Sequence, residues 1–341
     1  MSGTRLGVGV IGLGVGEQHA RAFSAHPDCS LVALCDFDPV RLGEVAARVP
    51  AQRQYARAEE LIDDPEVQIV SIASNDDHHA AQILRALRLG KHVFCEKPLC
   101  LTAQELVEIA AAWKNARGAR LSTNTVLRRA PRYRWAHETI RAGRLGRVFC
   151  IEADYVYGRL PKLTSSWRGQ IPGYSVMLGG GIHMIDLILW LTGERPVEVY
   201  ANSSSLGSRG TGFNGTDLVL AQLRFESGML ARIGANFASV YAHYHRIVVH
   251  GTAATFENLP AAIAPSARLW TERDGGALPL PVDESVKVGK GELIPAFVAA
   301  VQGRGEPDVS ESEAFAAVSL CLAVEKSLAA AAPVSVEYQE H

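Results

Sequence analysis

Nowhere does the chain approach the run of about eighteen or more apolar residues that a spanning helix needs, and its start lacks a basic segment followed by a long apolar core. Neither export nor a membrane anchor is expected. An excess of charge is also missing: 34 Lys and Arg stand against 36 Asp and Glu, a net charge of -2 with both signs interspersed. No basic stripe advertises nucleic acid, so the expected partner is a small molecule. Cysteine pairs are lacking too. Cys29, Cys35, Cys95, Cys100, Cys150 and Cys321 lie mostly in apolar runs without Cys-x-x-Cys spacing. That argues against zinc ligation or a disulfide framework and for reduced, buried thiols in the cytoplasm. The sequence shows no internal repeat and no long low-complexity linker, and Asn202 to Gly215 reads as a mobile loop.

What is there is enough chain for two domains of ordinary size, 341 residues in all. Apolar strand-like runs alternate with helical patterns early on: Leu6 to Ile11, a helix from Glu17, Leu31 to Cys35, a helix near Arg41 to Arg48, and Val67 to Ala73. A helix His79 to Leu89 ends at Gly90 and leads to a strand His92 to Cys95; the helix Ala103 to Arg117 is capped by Thr102 with Glu105 three residues on. This βαβ rhythm predicts a doubly wound parallel sheet of the Rossmann type over residues 1–124. From 125 to 341 the pattern turns β-rich: Val148 to Tyr157, Val197 to Ser203, Asp217 to Phe225, Met229 to Phe237 and Arg246 to His250. Helices are expected at His183 to Leu191 and Ser312 to Ala332. The second domain is therefore read as α+β with an open, mainly antiparallel sheet, its last helix free to pack back on the first domain. Apolar residues on both faces of several strands predict a homodimer or homotetramer through that sheet.

The chemistry-bearing features begin with the turn Gly12-Leu13-Gly14-Val15-Gly16, after a strand and before a helix. Glu17 stands where a third glycine is usual, so the string alone is weak. Its context strengthens it: about twenty residues on, a strand ends at Asp36, placed to accept hydrogen bonds from an adenosine ribose. Asp36 and Asp38 would repel a 2'-phosphate while Arg41 would attract one, which favours NAD over NADP. Further along, the strand ending in Phe94-Cys95-Glu96 delivers Lys97 to its end and stops at Pro98.

These segments, with His19-Ala20, Asn75-Asp76-Asp77-His78, the run Ala86 to Pro98, Asn124, Arg128, Pro131, Gly143 to Gly146, Gly181-Ile182-His183-Met184-Ile185-Asp186 and Gly251-Thr252, form an ordered set. The chain resembles the glucose-fructose oxidoreductase / inositol dehydrogenase / MocA family of two-domain NAD(P)-dependent oxidoreductases. The resemblance implies a Rossmann domain carrying the cofactor and a sheet domain holding the substrate. It implies Lys97 as the active-site lysine, His183 as the catalytic histidine, and Asp186 as the acidic residue one turn beyond. It further implies that Ser74, Asn75, His78, Glu96, Lys97 and Asn124 join Gly12 to Gly16 and Asp36 around the cofactor. In one respect the chain departs: many members carry an acidic residue four positions before the histidine, and here that position is Gly179.

Oxidising a secondary alcohol needs a base for the hydroxyl proton while hydride leaves for the nicotinamide. His183 has a suitable ordinary pKa, with Asp186 at i+3 on the same helical face to orient it. Lys97 can polarise the oxygen or carry the proton itself, and the sequence leaves that choice open. Gly179-Gly180-Gly181 reads either as a flexible entry to the helix or as an anion-binding turn. Asp76 to His79 is not expected to hold a metal, since adjacent residues rarely face one ion. His243, Tyr244 and His245, alternating on a strand, are expected to be solvated or to face another subunit. Tyr155, Tyr157, Arg159, Lys162, Trp167 and Arg168, with Arg128, Lys97 and His183, are candidates for a polar, aromatic-walled pocket for a sugar or cyclitol. The cations equally suit a sugar acid or nucleotide sugar. Two other readings keep the glycine turn: a redox-neutral lyase or hydrolase using NAD transiently, and a non-catalytic dinucleotide sensor.

Overall fold

A run that is apolar at nearly every position, such as Leu6–Ile11 or Cys29–Cys35, is stable as a strand where both faces of its sheet are covered. In the computed structural model, which describes residues 5–259, 266–272, 275–283 and 287–339, these runs form the centre of a parallel sheet. The chain divides into two units. The first takes in residues up to Val126 together with Val288–Ala316; the second takes in Leu127–Lys287 with Ala317–Tyr338.

In the first unit, strands β1 (Leu6–Ile11), β2 (Cys29–Cys35), β3 (Arg53–Tyr55), β4 (Ile69–Ile72), β5 (His92–Cys95) and β6 (Leu121–Thr123) lie in the order 3-2-1-4-5-6, all parallel. Helices α1 (Gly16–Ala25), α2 (Pro39–Arg48), α3 (Ala58–Asp63), α4 (His79–Arg88) and α5 (Ala103–Asn115) connect them. The helix ends follow local chemistry. Asp38 caps α2 by accepting from the Val40 and Arg41 N–H groups, with Pro39 at the first position. Thr102 and Glu105 form a reciprocal capping box on α5. Gly90, at φ +69°, ends α4. Because strand order reverses on either side of β1, a crevice opens at the carboxyl ends of β1 and β4, the place where such sheets receive ligands.

The second unit is built on a nine-stranded sheet. Its strands are β7 (Val148–Val156), β8 (Pro196–Ser204), β9 (Leu218–Phe225), β10 (Leu230–Asn236), β11 (Tyr244–Gly251), β12 (Thr255–Asn258), β13 (Ala267–Trp270), β14 (Leu278–Pro279) and β15 (Val334–Ser335), in the order 14-13-12-11-7-10-9-8-15. It is antiparallel except where β7 runs parallel to β10. The Glu226-Ser227-Gly228 turn closes the β9–β10 hairpin, with Gly228 at φ +87°. Helices α6 (Pro131–Arg141), α7 (Pro161–Thr164) and α8 (Ile182–Thr192) belong here, and α8 is buried from Ile182 through Ile188. The sheet's other face is half-exposed and mixes charged with apolar side chains: Glu152 and Asp154 of β7 bind Arg232 and Arg246 on the flanking strands, with Leu220, Leu230 and Tyr200 exposed on the same sheet. The stretch after β8, expected to be a mobile loop, is tied back by Asp217, whose carboxylate accepts from the Ser208 N–H.

The chain then returns to the first unit through α9 (Ile294–Val301) and the start of α10 (Glu311–Ala330). Phe297 of α9 packs on Phe94, with ring centroids 5.4 Å apart. Among the described residues no helix is long and apolar enough to cross a membrane, and the six cysteines are free thiols.

Candidate active site

The first unit gathers most of its polar chemistry at the carboxyl ends of β1, β4, β5 and β6. Gly12, just after β1, sits at φ +81°; a Cβ there would lie 2.4 Å from the Ala73 carbonyl oxygen, so only glycine lets the turn reach across to the end of β4. Gly16 begins α1 one position earlier than the usual third glycine, and a Cβ there would already touch Ala73 and Val10 at 3.2 Å. Close helix–sheet approach is therefore provided by Gly16, which frees position 17 for a carboxylate. Glu17, hydrogen-bonded first by Arg48 and then by Arg21, has its pKa lowered to about 2. Gly14 faces open space, with nothing within 4 Å of where a Cβ would be.

Asp36, at the end of β2 and buried, uses both oxygens to organise this turn. Oδ2 accepts from the Leu13 N–H at 2.7 Å and Oδ1 from the Asp38 N–H at 2.9 Å. Each oxygen keeps a second lone pair, as a ribose acceptor requires. Arg41 stands 3.5 Å from Asp36 and 3.6 Å from Asp38.

At the end of β5, Glu96 and Lys97 are both buried. Glu96 accepts from Asn124 Nδ2 at 2.8 Å and lies 3.4 Å from His19 Nε2. Burial pushes its carboxyl up, but Lys290, the His19 hydrogen bond and Lys97 outweigh burial and hold it well below the usual carboxylate range. Asn124 Nδ2 also donates to the Lys290 carbonyl at 2.9 Å, and His19 Nδ1 meets Ser71 Oγ at 3.0 Å. With Nδ2 so engaged, Asn124 Oδ1 faces the other way, buried and without a hydrogen-bond partner among the described residues. An open space at Gly14, an acceptor-bearing Asp36 and a buried amide oxygen with unspent capacity together fit a nicotinamide dinucleotide.

Of the other residues expected around the cofactor, Ser74 donates to Gln82 Oε1 at 2.8 Å, and Asn75 precedes the single turn Asp76–His78. His78 is exposed, while its neighbour His79 is fully buried and spans the carbonyls of Pro98, at 2.7 Å, and Ser74, at 3.1 Å. His79 thus ties the end of β4 to the segment carrying Lys97, a role the sequence reading did not assign. His19 and Lys290 were missed likewise. His19 lies three residues beyond Gly16, on the face of α1 turned to the sheet, and that spacing is the available signal.

In the second unit, Arg128 and Asp186 are nearly fully buried and paired through two bonds: Nε to Oδ2 at 2.9 Å and Nη2 to Oδ1 at 2.7 Å. His183, buried on α8, packs against the Tyr155 ring with centroids 5.9 Å apart and nearly parallel planes. Trp167 and Arg168 lie together, the guanidinium 4.2 Å from the indole ring, and Arg168 Nε donates to the Tyr174 hydroxyl at 3.1 Å.

Two expectations need correction here. Gly179-Gly180-Gly181 is neither a flexible entry nor an exposed anion-binding turn. It is buried in a π-helical turn, and Cβ atoms there would meet the Tyr174 hydroxyl at 1.9 Å, the Tyr155 ring at 2.5 Å and Met177 Sδ at 2.2 Å respectively. Nor do His243 and His245 face solvent or a partner alone. Both rings pack on Tyr155, at 5.3 and 5.2 Å: His245 pairs directly with Tyr155 across β11 and β7, and His243 lies two residues earlier, just ahead of β11.

Comparison with known proteins adds lineage to this geometry. Residues 6–125 match the GFO/IDH/MocA oxidoreductase family, NAD-binding Rossmann fold, and residues 133–257 match the GFO/IDH/MocA C-terminal domain. The chain is 31% identical over 289 residues to the 1,5-anhydro-D-fructose reductase of Ensifer adhaerens, with 84% of each chain covered. It is 30% identical over 253 residues to the myo-inositol 2-dehydrogenase of Thermotoga maritima, with 72% of each covered. A solved levoglucosan dehydrogenase in complex with NADH shares the fold at a TM-score of 0.85 and 24% identity, over 98% of this chain and 100% of that one. The glycine turn, the Glu96-Lys97 strand end and the helix bearing His183 fall within the two matched regions, and the chain belongs to the GFO/IDH/MocA family of NAD-binding oxidoreductases.

Proposed function

We propose that this chain is an NAD-dependent dehydrogenase or reductase that interconverts a hydroxyl and a keto group on a sugar or cyclitol. The observation carrying this reading is the end of β5, where buried Lys97 stands beside a buried, ionised Glu96 at the carboxyl edge of the parallel sheet. Named relatives that act on anhydrofructose and myo-inositol support the substrate class. Gly12 to Gly16 would hold the pyrophosphate, Asp36 the adenosine ribose, and Ser74, Asn75, His78, Glu96, Lys97 and Asn124 the remainder. Nicotinamide supplies the hydride acceptor when bound. Lys97 polarises the substrate oxygen, and His183 takes or returns its proton.

Asp186 is assigned to positioning α8 through Arg128, since both its oxygens are engaged by that guanidinium. Arg128 is correspondingly occupied, which weighs against its reading a carboxylate on a sugar acid. Tyr155, Trp167 and Arg168 are the proposed substrate-facing aromatic and polar groups. The half-exposed face of the nine-stranded sheet is the proposed subunit interface of a dimer or tetramer, and the free thiols suit a reducing cytoplasm. A panel of sugars, cyclitols, sugar acids and nucleotide sugars, assayed for change at the NADH absorption band with product analysis for redox-neutral turnover, tests the function. Sedimentation at micromolar concentration tests the assembly. Turnover restricted to acidic or nucleotide sugars, or without net NADH change, would displace the proposed reading.

A further inference from the structure

Beside His183 the second unit holds two further imidazoles that the proposed chemistry does not use. His245 of β11 lies 6.0 Å from His183, ring centroid to ring centroid, with the planes at 76°. Behind it His243 lies 4.7 Å from His245. Tyr155 touches all three: it stacks on His183 and meets His243 and His245 with its edges and faces. The arrangement is held at its base. The His245 carbonyl accepts from the Tyr133 hydroxyl at 2.8 Å and from Asn258 Nδ2 at 2.6 Å, which fixes β11 at that residue. On the other side, the glycines at 180 and 181 let α8 approach the sheet closely enough for His183 to reach Tyr155.

Charged and titratable groups near these rings include Tyr133 from α6, Tyr155 and Tyr157 from β7 and its end, Arg159 over Tyr157, Arg168, and the Asp186–Arg128 pair one turn along α8. Burial pushes the Tyr155 phenol up, so it remains neutral and adds no anion. The nearby acid, Asp186, accepts from Arg128 on both oxygens. The imidazoles themselves can change charge near neutrality. Charges about 6 Å apart in a partly buried setting disfavour one another, and groups so coupled take up protons in shared steps.

We propose that His245, backed by His243, is a positioning residue that keeps His183 unprotonated and ready to accept a proton by placing competing positive charge beside it as pH falls. Its consequence for turnover rests on His183 being the proton acceptor. Its effect on the ring does not.

The test is an NMR titration of isotopically labelled histidines in the full-length protein without cofactor or substrate, His183 being identified by its loss in His183→Gln. In His245→Gln, and in His245→Phe, which keeps a ring against Tyr155, the His183 midpoint is expected to rise by about one pH unit, because removing a like charge favours the protonated form. His243→Gln should move it in the same direction by less. An unchanged midpoint in both His245 variants overturns the inference, as does a wild type whose three imidazoles follow independent single-site curves. The acidic limb of kcat/KM against pH separates the two readings. A limb that rises with the midpoint supports both, whereas a midpoint that rises under an unmoved limb supports the coupling and removes His183 from the role of base.

Discussion

Arg128 and Asp186 form a bidentate ion pair in which the two side chains are 3% and 1% exposed. Water cannot compensate either charge if its partner is lost. Removing one member of such a pair typically costs about 3–5 kcal/mol, whereas replacing both by apolar residues costs far less. Asp186→Asn and Arg128→Met should each lower unfolding stability by several kcal/mol, and Asp186→Leu/Arg128→Met should recover much of that loss. Denaturant unfolding of the three variants checks this. Equal, additive losses would mean that the two side chains do not act as a pair.

Lys97 is buried at a strand end rather than solvated on a surface, so its contribution should be to chemistry more than to cofactor capture. Lys97→Ala is expected to reduce turnover by about 10²- to 10⁴-fold with NAD affinity nearly unchanged. Turnover on an identified substrate and calorimetry with NAD measure the two effects separately. Normal turnover in the variant would make Lys97 structural.

Gly12 and Gly14 stand two residues apart yet answer to different constraints. A Cβ at Gly12 collides with backbone at 2.4 Å in a left-handed conformation, while one at Gly14 meets nothing within 4 Å. Gly12→Ala should lower the melting temperature and weaken NAD binding together. Gly14→Ala should melt like the wild type but, if the pyrophosphate lies where proposed, bind NAD at least about tenfold more weakly, because the methyl enters that open space. Calorimetry should also show NAD preferred over NADP if Asp36 meets the adenosine ribose as proposed, since its carboxylate would repel a 2'-phosphate. Tighter NADP binding would show that Arg41 prevails.

Glu96 has a depressed native pKa, so folding favours its ionised form. The stabilisation is complete above the ordinary glutamate value of about 4.3 and is lost as pH falls through that value toward the native one. The stability difference between wild type and Glu96→Gln should therefore be largest near neutrality and shrink on acidification to about pH 3. Urea unfolding at several pH values measures it. A difference independent of pH would mean that Glu96 is held protonated among His19, Asn124 and Lys290.

How legible this was in the sequence depended on how local each determinant is. The strands β1, β2, β4 and β5 are apolar runs buried on both faces, and the Thr102–Glu105 cap is a four-residue signal, so both could be read directly. Helix α6 was not foreseen. It buries little beyond Tyr133, Ala136 and Thr139 and is otherwise rich in charge. The parallel β7–β10 pair, the short edge strands and the return of residues 288–316 to the first unit are set by contacts between distant segments, which periodicity does not encode. The same limit applied to the site. Gly12, Asp36 and Lys97 announce themselves by spacing, whereas Lys290 meets Asn124 across 166 residues and His245 meets His183 through sheet pairing. The strand position of His245 was readable, but not which face it takes, and His243 lies just ahead of the strand.

Gly179 illustrates how a departure from a family pattern acquires a physical cause. The position cannot take a side chain because the Tyr174 hydroxyl lies 1.9 Å from the Cβ site, its ring carbon at 2.6 Å, and both residues are buried. Tyr174 is in turn held by Arg168, which donates to its hydroxyl. An acidic residue introduced at this position should therefore fail for steric reasons before any electrostatic benefit to His183 arises. Gly179→Ala is expected to destabilise by about 1–3 kcal/mol through overpacking. Gly179→Ala with Tyr174→Ala should relieve the clash, and Gly179→Asp should be tolerated only in that second background. Thermal melts of the single and double variants decide the matter. If Gly179→Ala melts like the wild type, the close approach of Tyr174 is not a constraint on this turn, and the absence of an acid at 179 has some other origin.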